Sequence, residues 1–256
     1  MRRSFTTAAA AVLVLVSLVG ARPAPVDAGT PFTDISDSQF IGNINWAYDN
    51  GITAGCDTDR FCPKATVTRD QMASFLVRMF ELPSTTLDFF TDDEGNIHEG
   101  SINRLAASGI TGGCAANKYC PKAGVTREQM ASFIARAAGL AHVSTNPFYD
   151  DDFRAHEGDI NRIAAEGIGS GCGTYRFCPG SMVNREQMVA FLNRVVDPVT
   201  PVDQQAPCDR SYTPYHCIPS PPPQLDCTDL AFSDFFVRPP DPHVFDGNAN
   251  GIGCET

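Results

Sequence analysis

A period of 58 residues constrains this chain more than any other feature of its sequence. The segment from Gly109 to Arg136 has ungapped counterparts at residues 51–78 and 167–194. Upstream phenylalanines keep the same phase, namely Phe32, Phe90 and Phe148. A fixed period of this length indicates a repeated supersecondary unit that must stack on its neighbours to bury an apolar face. We therefore expect three repeats that share one core, at residues 31–82, 89–140 and 147–197.

Each repeat is predicted to contain two helices joined by a loop. Apolar residues of the second repeat recur with the spacing of one helical face, at Ile102, Leu105, Ala106 and Ile110. Gly109 can end this helix because glycine adopts the left-handed conformation without a steric penalty. The second helix of each repeat opens with a capping box, formed by the pairs Thr68–Gln71, Thr126–Gln129 and Asn184–Gln187. The predicted fold class is mainly α.

Residues 1–28 have the features of a signal peptide. Arg2 and Arg3 precede an apolar run from Ala8 to Val19, and Val26-Asp27-Ala28 is a small-residue cleavage pattern. The apolar run of about 12 residues is too short to cross a bilayer. The alternative to a cleaved signal peptide is an uncleaved membrane anchor. We expect an exported protein that is soluble or attached to a surface without spanning a membrane.

The charge of the chain disfavours one class of partner. Without residues 1–28 the sequence holds 16 basic and 29 acidic residues, a formal net charge of about −13. Nucleic acid is itself a polyanion, so it is a poor partner for such a chain. We expect a monomer that does not bind nucleic acid.

All ten cysteines follow the signal segment, and an even number in an exported chain indicates disulfides. Six of them form local pairs that share the repeat's period, Cys56–Cys62, Cys114–Cys120 and Cys172–Cys178. A shared zinc site is the alternative, although zinc ligand pairs are usually two to four residues apart. The four remaining cysteines allow three connectivities.

The C-terminal quarter differs in composition. Eight prolines lie between Pro198 and Pro223, so residues 198–225 are predicted to form a semi-rigid spacer. The last segment, 226–256, begins near Cys227 and ends near Cys254. It is too small to have an independent core without a disulfide bridge or a metal ion.

The repeat resembles the S-layer homology domain. The resemblance rests on a Phe-x-Asp start such as Phe32-Thr33-Asp34, a Gly-Ile helix end such as Gly51-Ile52, and an arginine that opens the second helix. Where that family has glutamate, this chain has Gln71, Gln129 and Gln187. The resemblance implies a pseudo-threefold bundle of helix-loop-helix repeats with disulfide-clipped loops. It also implies noncovalent binding of anionic cell-wall polysaccharide in grooves between repeats.

The arginines of the second helices, Arg69, Arg127 and Arg185, are the candidate polysaccharide-binding residues. A cation in the first turn of a helix is mildly destabilising, because the helix dipole is positive there. Helix formation therefore does not explain why arginine recurs at this position. The guanidinium fork matches a carboxylate, and the helix amides beside it add to an anion site. Salt bridges to carboxylates of a neighbouring repeat are the alternative. Trp46 is a further candidate, a sugar platform confined to one groove because the equivalent residues are Arg104 and Arg162.

The C-terminal segment resembles the excalibur calcium-binding module, whose signature is matched from Asp246 to Glu255. The resemblance implies calcium ligands at Asp246, Asn248, Asn250, Glu255 and the carbonyl of Ile252. Asparagine replaces two aspartates of the signature, which lowers the charge, so we expect weak binding. A structural loop without calcium is the alternative. Resemblance and proximity together favour the pairs Cys208–Cys217 and Cys227–Cys254.

The sequence offers little support for catalysis. His98-Glu99 and His156-Glu157 begin like a metalloprotease helix, but Ile102 and Ile160 stand where the second histidine is required. We expect these histidines to pack or to cap a helix. The acidic groups at 92–94 and 150–152 are expected to cap helices and face solvent, with calcium binding as the alternative. We predict a noncatalytic envelope-binding protein; the alternatives are an accessory protein or adhesin that binds another protein, or a regulator of a secreted hydrolase.

Overall fold

The computed structural model describes residues 29–199, 201, 207–214 and 216–255, so the predicted signal segment lies outside the described residues. The repeats contain helices α1 (Ile41–Asp49), α2 (Arg69–Met79), α3 (Glu99–Ala107), α4 (Arg127–Ala137), α5 (Glu157–Ala165) and α6 (Arg185–Val196). The mainly helical prediction is confirmed. Among the helices of these ranges, none combines the length and hydropathy that crossing a membrane requires.

The helix boundaries follow the local sequence signals. Gly51, Gly109 and Gly167 follow the first helices at φ of 68°, 70° and 68°. Capping boxes open α2, α4 and α6. The first helices differ, because Phe40, His98 and His156 occupy the N-cap positions without a side-chain hydrogen bond to the helix. Of the two roles expected for these histidines, the packing role is confirmed, because both are half-buried, and the side-chain cap is not made.

The helix contacts close into a ring. Helix α2 packs on α3, α4 packs on α5, and α6 packs back on α1. At the centre, the amide of Val67 donates to the carbonyl of Val183, that of Val183 to Val125, and that of Val125 to Val67, at 2.9–3.0 Å. All three valines are fully buried. Each repeat therefore presents its second helix to the first helix of the next, and the last repeat returns to the first.

The Phe-x-Asp motif holds the loop of each repeat. Phe32 packs on Phe61 with ring centroids 5.6 Å apart, and the Asp34 carboxylate accepts hydrogen bonds from the amides of Phe61 and Cys62 at 2.8 and 2.9 Å. Asp92 and Asp150 make the equivalent contacts. Burial alone would raise the pKa of Asp34, but these amides and the Arg60 guanidinium outweigh it and hold the pKa below its usual value.

The part of the chain that the structure describes contains five disulfides, and they are the pairs expected above. They join Cys56–Cys62, Cys114–Cys120, Cys172–Cys178, Cys208–Cys217 and Cys227–Cys254. The first three close the loops of the repeats. The last two stabilise a C-terminal module that also contains a 3-10 helix at Cys227–Asp229.

The C-terminal module has its own small core. Strands β1 (Phe235–Phe236) and β2 (Ile252–Gly253) pair antiparallel, with Phe235 opposite Gly253. Tyr212 and Ile218 are buried in one apolar cluster with Phe235. The prediction of a spacer over 198–225 is therefore wrong for the stretch from Cys208 onward, because the Cys208–Cys217 bridge folds that stretch back and its apolar side chains join the module.

Candidate ligand-binding grooves between repeats

The three repeat arginines are buried between repeats. Arg69, Arg127 and Arg185 are 6%, 8% and 5% exposed. Their Nε atoms donate to the carbonyl oxygens of Tyr119, Phe177 and Phe61 at 2.7, 2.8 and 2.7 Å. Each guanidinium also lies over two aromatic rings; that of Arg185 is 4.9 Å from the Phe61 centroid and 5.5 Å from that of Phe75. The salt-bridge alternative is wrong, because these carbonyls and rings take the place of carboxylates.

The helix amides beside these arginines are also occupied. The amide of Arg69 donates to the carbonyl of Ala123 at 2.9 Å, and that of Asp70 to Pro121 at 3.0 Å. Helices α4 and α6 repeat this arrangement with the next loop of the ring. The expectation that these amides contribute to an anion site is therefore wrong, because the neighbouring repeat consumes them.

Two equivalent grooves lie beside the arginines. Groove A, of about 240 Å³, lies between α2 and α3 and is lined by Thr53, Gln71, Ser74, Arg78, His98 and Arg185. Groove B, of about 290 Å³, lies between α4 and α5 and is lined by Thr111, Gln129, Ser132, Arg136, His156 and Arg69. Each of the six residues named for groove B occupies the same position in its repeat as its counterpart in groove A, one repeat further along the ring.

Each groove contains a serine hydrogen-bonded to a histidine. Ser74 Oγ lies 2.8 Å from His98 Nδ1, and Ser132 Oγ lies 2.7 Å from His156 Nδ1. Burial lowers the pKa of His98, and the nearby Asp70 carboxylate opposes that effect only in part. His98 is therefore neutral near pH 7, so its ring offers hydrogen bonds without a charge.

The arginines supply the positive charge of the grooves. Burial lowers the pKa of Arg185 to about 10, which leaves it charged at neutral pH. Among the residues that the structure describes, the Nη2 atoms of Arg185 and Arg69 have no hydrogen-bond partner. At the third junction, between α6 and α1, Arg127 Nη2 instead donates to the carbonyl of Ser170 at 3.0 Å. Two of the three equivalent guanidinium groups thus retain an unused donor beside a groove.

The third junction also lacks the serine and histidine. Ala190 stands at the position of Ser74 and Ser132, and Phe40 at that of His98 and His156. The three junctions are therefore similar in packing and unequal in chemistry.

Trp46 lies outside both grooves. It is half-buried against the core and does not line groove A or groove B. Its counterpart Arg104 donates to the carbonyls of Leu82 and Pro83, in the connection between the first two repeats. A sugar contact at Trp46 stays a prediction that the geometry of these grooves does not support.

The residues overlooked in the sequence are Ser74, Arg78, Ser132 and Arg136. The sequence does contain a pattern that indicates them: each serine precedes its arginine by four residues, and the pair recurs 58 residues later. The spacing places them on one helical face.

The predicted calcium loop gathers its four polar side chains. Asp246 accepts hydrogen bonds from the amides of Asn250 and Gly251 at 3.1 and 2.7 Å. Glu255 accepts from the side-chain amides of Asn248 and Asn250 at 2.6 and 2.9 Å. Ile252 follows in β2. The loop thus has the predicted oxygen donors on one short turn, and its own amides satisfy the two carboxylates.

Known proteins share the repeat region. Residues 31–73 and 90–131 match the S-layer homology domain. An endoglucanase of Bacillus sp. (strain KSM-635) is 29% identical over 108 residues, which are 42% of this chain and 12% of that enzyme. The S-layer protein of Bacillus thuringiensis subsp. finitimus and the S-layer protein sap of Bacillus anthracis are each 29% identical over 138 residues, 53% of this chain and 16% of theirs. The matches cover less than a fifth of each relative's length. The chain is therefore similar to the S-layer homology domain over residues 31–73 and 90–131.

Proposed function

We propose that this chain is a noncatalytic protein of the cell envelope that binds cell-wall polysaccharide noncovalently. The two segments similar to the S-layer homology domain and the two S-layer proteins among the similar sequences support an envelope location. We include residues 147–197 as a third repeat of the same kind, since α5 and α6 reproduce the caps, loop and disulfide of the first two. The ring of helix contacts supports a pseudo-threefold bundle.

Grooves A and B are the proposed polysaccharide sites. The observation that carries the proposal is the pair of unused donors, Arg185 Nη2 and Arg69 Nη2, beside grooves that also hold Arg78 and Arg136. The whole chain carries a formal charge of −11, so cations collected in two grooves favour an acidic sugar such as a uronic acid or a pyruvylated residue. The glutamine and the Ser–His pair of each groove offer hydrogen bonds to sugar hydroxyls.

Retention on purified cell-wall sacculi tests this function. The double variant Arg78→Gln/Arg136→Gln removes one exposed cation from each groove and leaves the buried arginines in place. We expect at least tenfold weaker retention, because a hydrogen bond from a charged group contributes about 1.5–3 kcal/mol and 1.4 kcal/mol corresponds to a factor of ten.

A matched variant controls for charge alone. Arg60→Gln/Arg176→Gln also removes two exposed cations from equivalent positions, but both lie outside grooves A and B. Its retention should equal that of the unmodified chain. Equal losses in both double variants, or none in either, would contradict the assignment of the grooves.

We also propose that the C-terminal module is excalibur-like and binds calcium weakly. Asp246, Asn248, Asn250 and Glu255 would provide side-chain oxygens, and Ile252 its carbonyl. Their convergence on one turn supports this proposal.

A further inference from the structure

His98 is a titratable side chain on the wall of groove A. It is half-buried and lines the groove together with Arg78 and Arg185. Ser74 Oγ lies 2.8 Å from Nδ1 of its ring, whereas Nε2 has no hydrogen-bond partner among the residues that the structure describes. The protein thus engages one ring nitrogen and leaves the other to a ligand or to water.

Both walls of groove A fix the position of this ring. Ser74 belongs to α2, and its Oγ also donates to Ser101 Oγ of α3 at 3.1 Å. The backbone amide of His98 donates to Asn96 Oδ1 at 2.9 Å. These contacts hold the imidazole between α2 and α3, so a charge on the ring would act at a defined place in the groove.

Helix formation does not require a histidine at this position. His98 is the N-cap residue of α3 and makes no side-chain cap, and Phe40 occupies the same position before α1. An aromatic ring without polar atoms is therefore compatible with the framework. The imidazole adds a group that can become charged, which phenylalanine cannot provide.

The protein itself disfavours a charge on His98. Burial lowers the pKa of the ring, and the cations Lys122 and Arg78 lower it too, while the Asp70 carboxylate acts in the opposite direction. Lys122 Nζ donates to Asp70 Oδ2 at 2.7 Å, so that carboxylate already has a cationic partner. Without a ligand, His98 should therefore gain a proton only below its ordinary pKa of 6.5.

Arg185 and Glu99 are further charged neighbours of His98. Arg185 lines the groove from α6, and Glu99 follows in α3, where its Oε2 accepts a hydrogen bond from the Gly95 amide at 2.8 Å. Within the described part of the chain, the lining of groove A contains two arginines and no carboxylate. A carboxylate from a ligand would therefore favour the protonated ring. That ring would donate a charge-assisted hydrogen bond from Nε2, about twice as strong as a neutral one.

We propose that His98 makes groove A bind an acidic saccharide more tightly as the surroundings become mildly acidic. The ring is neutral near pH 7, and it takes up a proton when the ligand binds at lower pH, which adds a third positive charge to the groove. This inference rests on the proposed function of groove A. Because binding and protonation are linked, a ligand that binds the protonated form better must also raise the pKa of His98.

Retention on purified sacculi over a range of pH tests the proposal. All chains in the test carry Arg136→Gln, which removes a cation from groove B and leaves groove A to dominate. This parent is compared with His98→Asn on the same sacculi at each pH, so titration of the wall's own carboxyl groups cancels in the ratio. We expect the ratio of parent to variant retention to rise about fivefold from about pH 7.5 to about pH 4.5, the difference between a charged and a neutral hydrogen bond.

Two further variants separate a charge in the groove from other effects. His98→Phe copies the first repeat, so it should melt within a few degrees of the parent and give the same rising ratio. His142→Asn removes an exposed histidine outside groove A, and its ratio should stay constant with pH. A constant ratio for both His98 variants, or an equal rise for His142→Asn, would overturn the proposal.

The same measurements distinguish failure of the pH response from failure of the proposed function. Retention that depends on Arg78 at neutral pH, combined with a constant ratio for His98→Asn, refutes the pH response alone. An unmodified chain that is not retained at any pH refutes the proposed function and this inference with it.

Discussion

Arg185 Nε donates to the carbonyl oxygen of Phe61 at 2.7 Å, across 124 residues of sequence. This hydrogen bond joins the third repeat to the first. The equivalent bonds from Arg69 to Tyr119 and from Arg127 to Phe177 join the other repeats, so the three bonds together close the ring. A cation in the first turn of a helix opposes the helix dipole. Contact with a buried carbonyl and two rings in the next repeat accounts for the arginine at this position.

Replacement of Arg185 by Met should destabilise the fold. The substitution removes a charged hydrogen bond and leaves the Phe61 carbonyl unsatisfied, so the free energy of unfolding should fall by about 1.5–3 kcal/mol. Urea unfolding under oxidising conditions measures this change. Arg78→Met, at an exposed position, should shift it by no more than about 0.5 kcal/mol. Equal effects of the two substitutions would contradict the role of Arg185 in ring closure.

The cap of α6 offers a second test of stability. Asn184 Oδ1 accepts a hydrogen bond from the Gln187 amide at 2.9 Å. Asn184→Ala should lower the free energy of unfolding by about 0.5–2 kcal/mol, whereas Asn184→Ser retains a capping oxygen and should cost much less. Thermal unfolding of both variants checks the difference, and identical melting temperatures would argue against the cap.

The loop carboxylates should make stability depend on pH in the acid range. Burial alone would raise the pKa of Asp92, but the amides of Tyr119 and Cys120 and the charge of Lys118 hold it below the usual 3.8. A lowered pKa in the folded state means that the carboxylate stabilises the fold above pH 3.8, and that this contribution is lost as the pH falls through the folded-state value.

Asp92→Asn should therefore be less stable than the unmodified chain by about 1–2 kcal/mol at pH 7. The difference should shrink below pH 3.8, where the unmodified carboxyl also loses its charge. Urea unfolding at pH 7, 5 and 3 measures it. A difference that stays constant over this range would show that the charge of Asp92 does not contribute.

Calcium binding by the C-terminal loop can be measured by calorimetric titration of the full chain. We expect a dissociation constant of roughly 10⁻⁴ to 10⁻³ M, because two asparagines lower the charge of the loop. The substitution Asp246→Ala should abolish the heat of binding. Submicromolar affinity would refute the charge argument, and an unchanged affinity after Asp246→Ala would refute the site.

The sequence predicted features that depend on a few neighbouring residues. The capping boxes and the glycines that end the first helices are local, so the 58-residue period was enough to place them. The burial of Arg69 was not predictable in this way, because the group that accepts its hydrogen bond belongs to the next repeat, 50 residues later. A periodic sequence shows that repeats pack, but it does not show which atoms meet.

The sequence does not distinguish the roles of adjacent residues of one type. Asp92 and Asp93 are chemically identical, yet the first accepts hydrogen bonds from the loop amides, whereas the buried carboxylate of the second accepts none from any other described residue. Their environments differ because the backbone turns between them, and the composition of the sequence does not show that turn. Tyr212 and Ile218 were overlooked because they lie in a proline-rich stretch, where composition favoured an extended spacer over the folded segment that the Cys208–Cys217 bridge creates.

The ring has a mechanical consequence, because only two of its three junctions are crossed by the chain. The chain does not cross the junction of α6 with α1, so noncovalent contacts alone hold it. Arg185 donates a hydrogen bond to Phe61, and Ser38 donates one to Glu186 at 2.7 Å. Lys64 forms an ion pair with the same glutamate. A pulling force applied between the first and third repeats would load these contacts directly. We expect the ring to yield at this seam before any helix unravels.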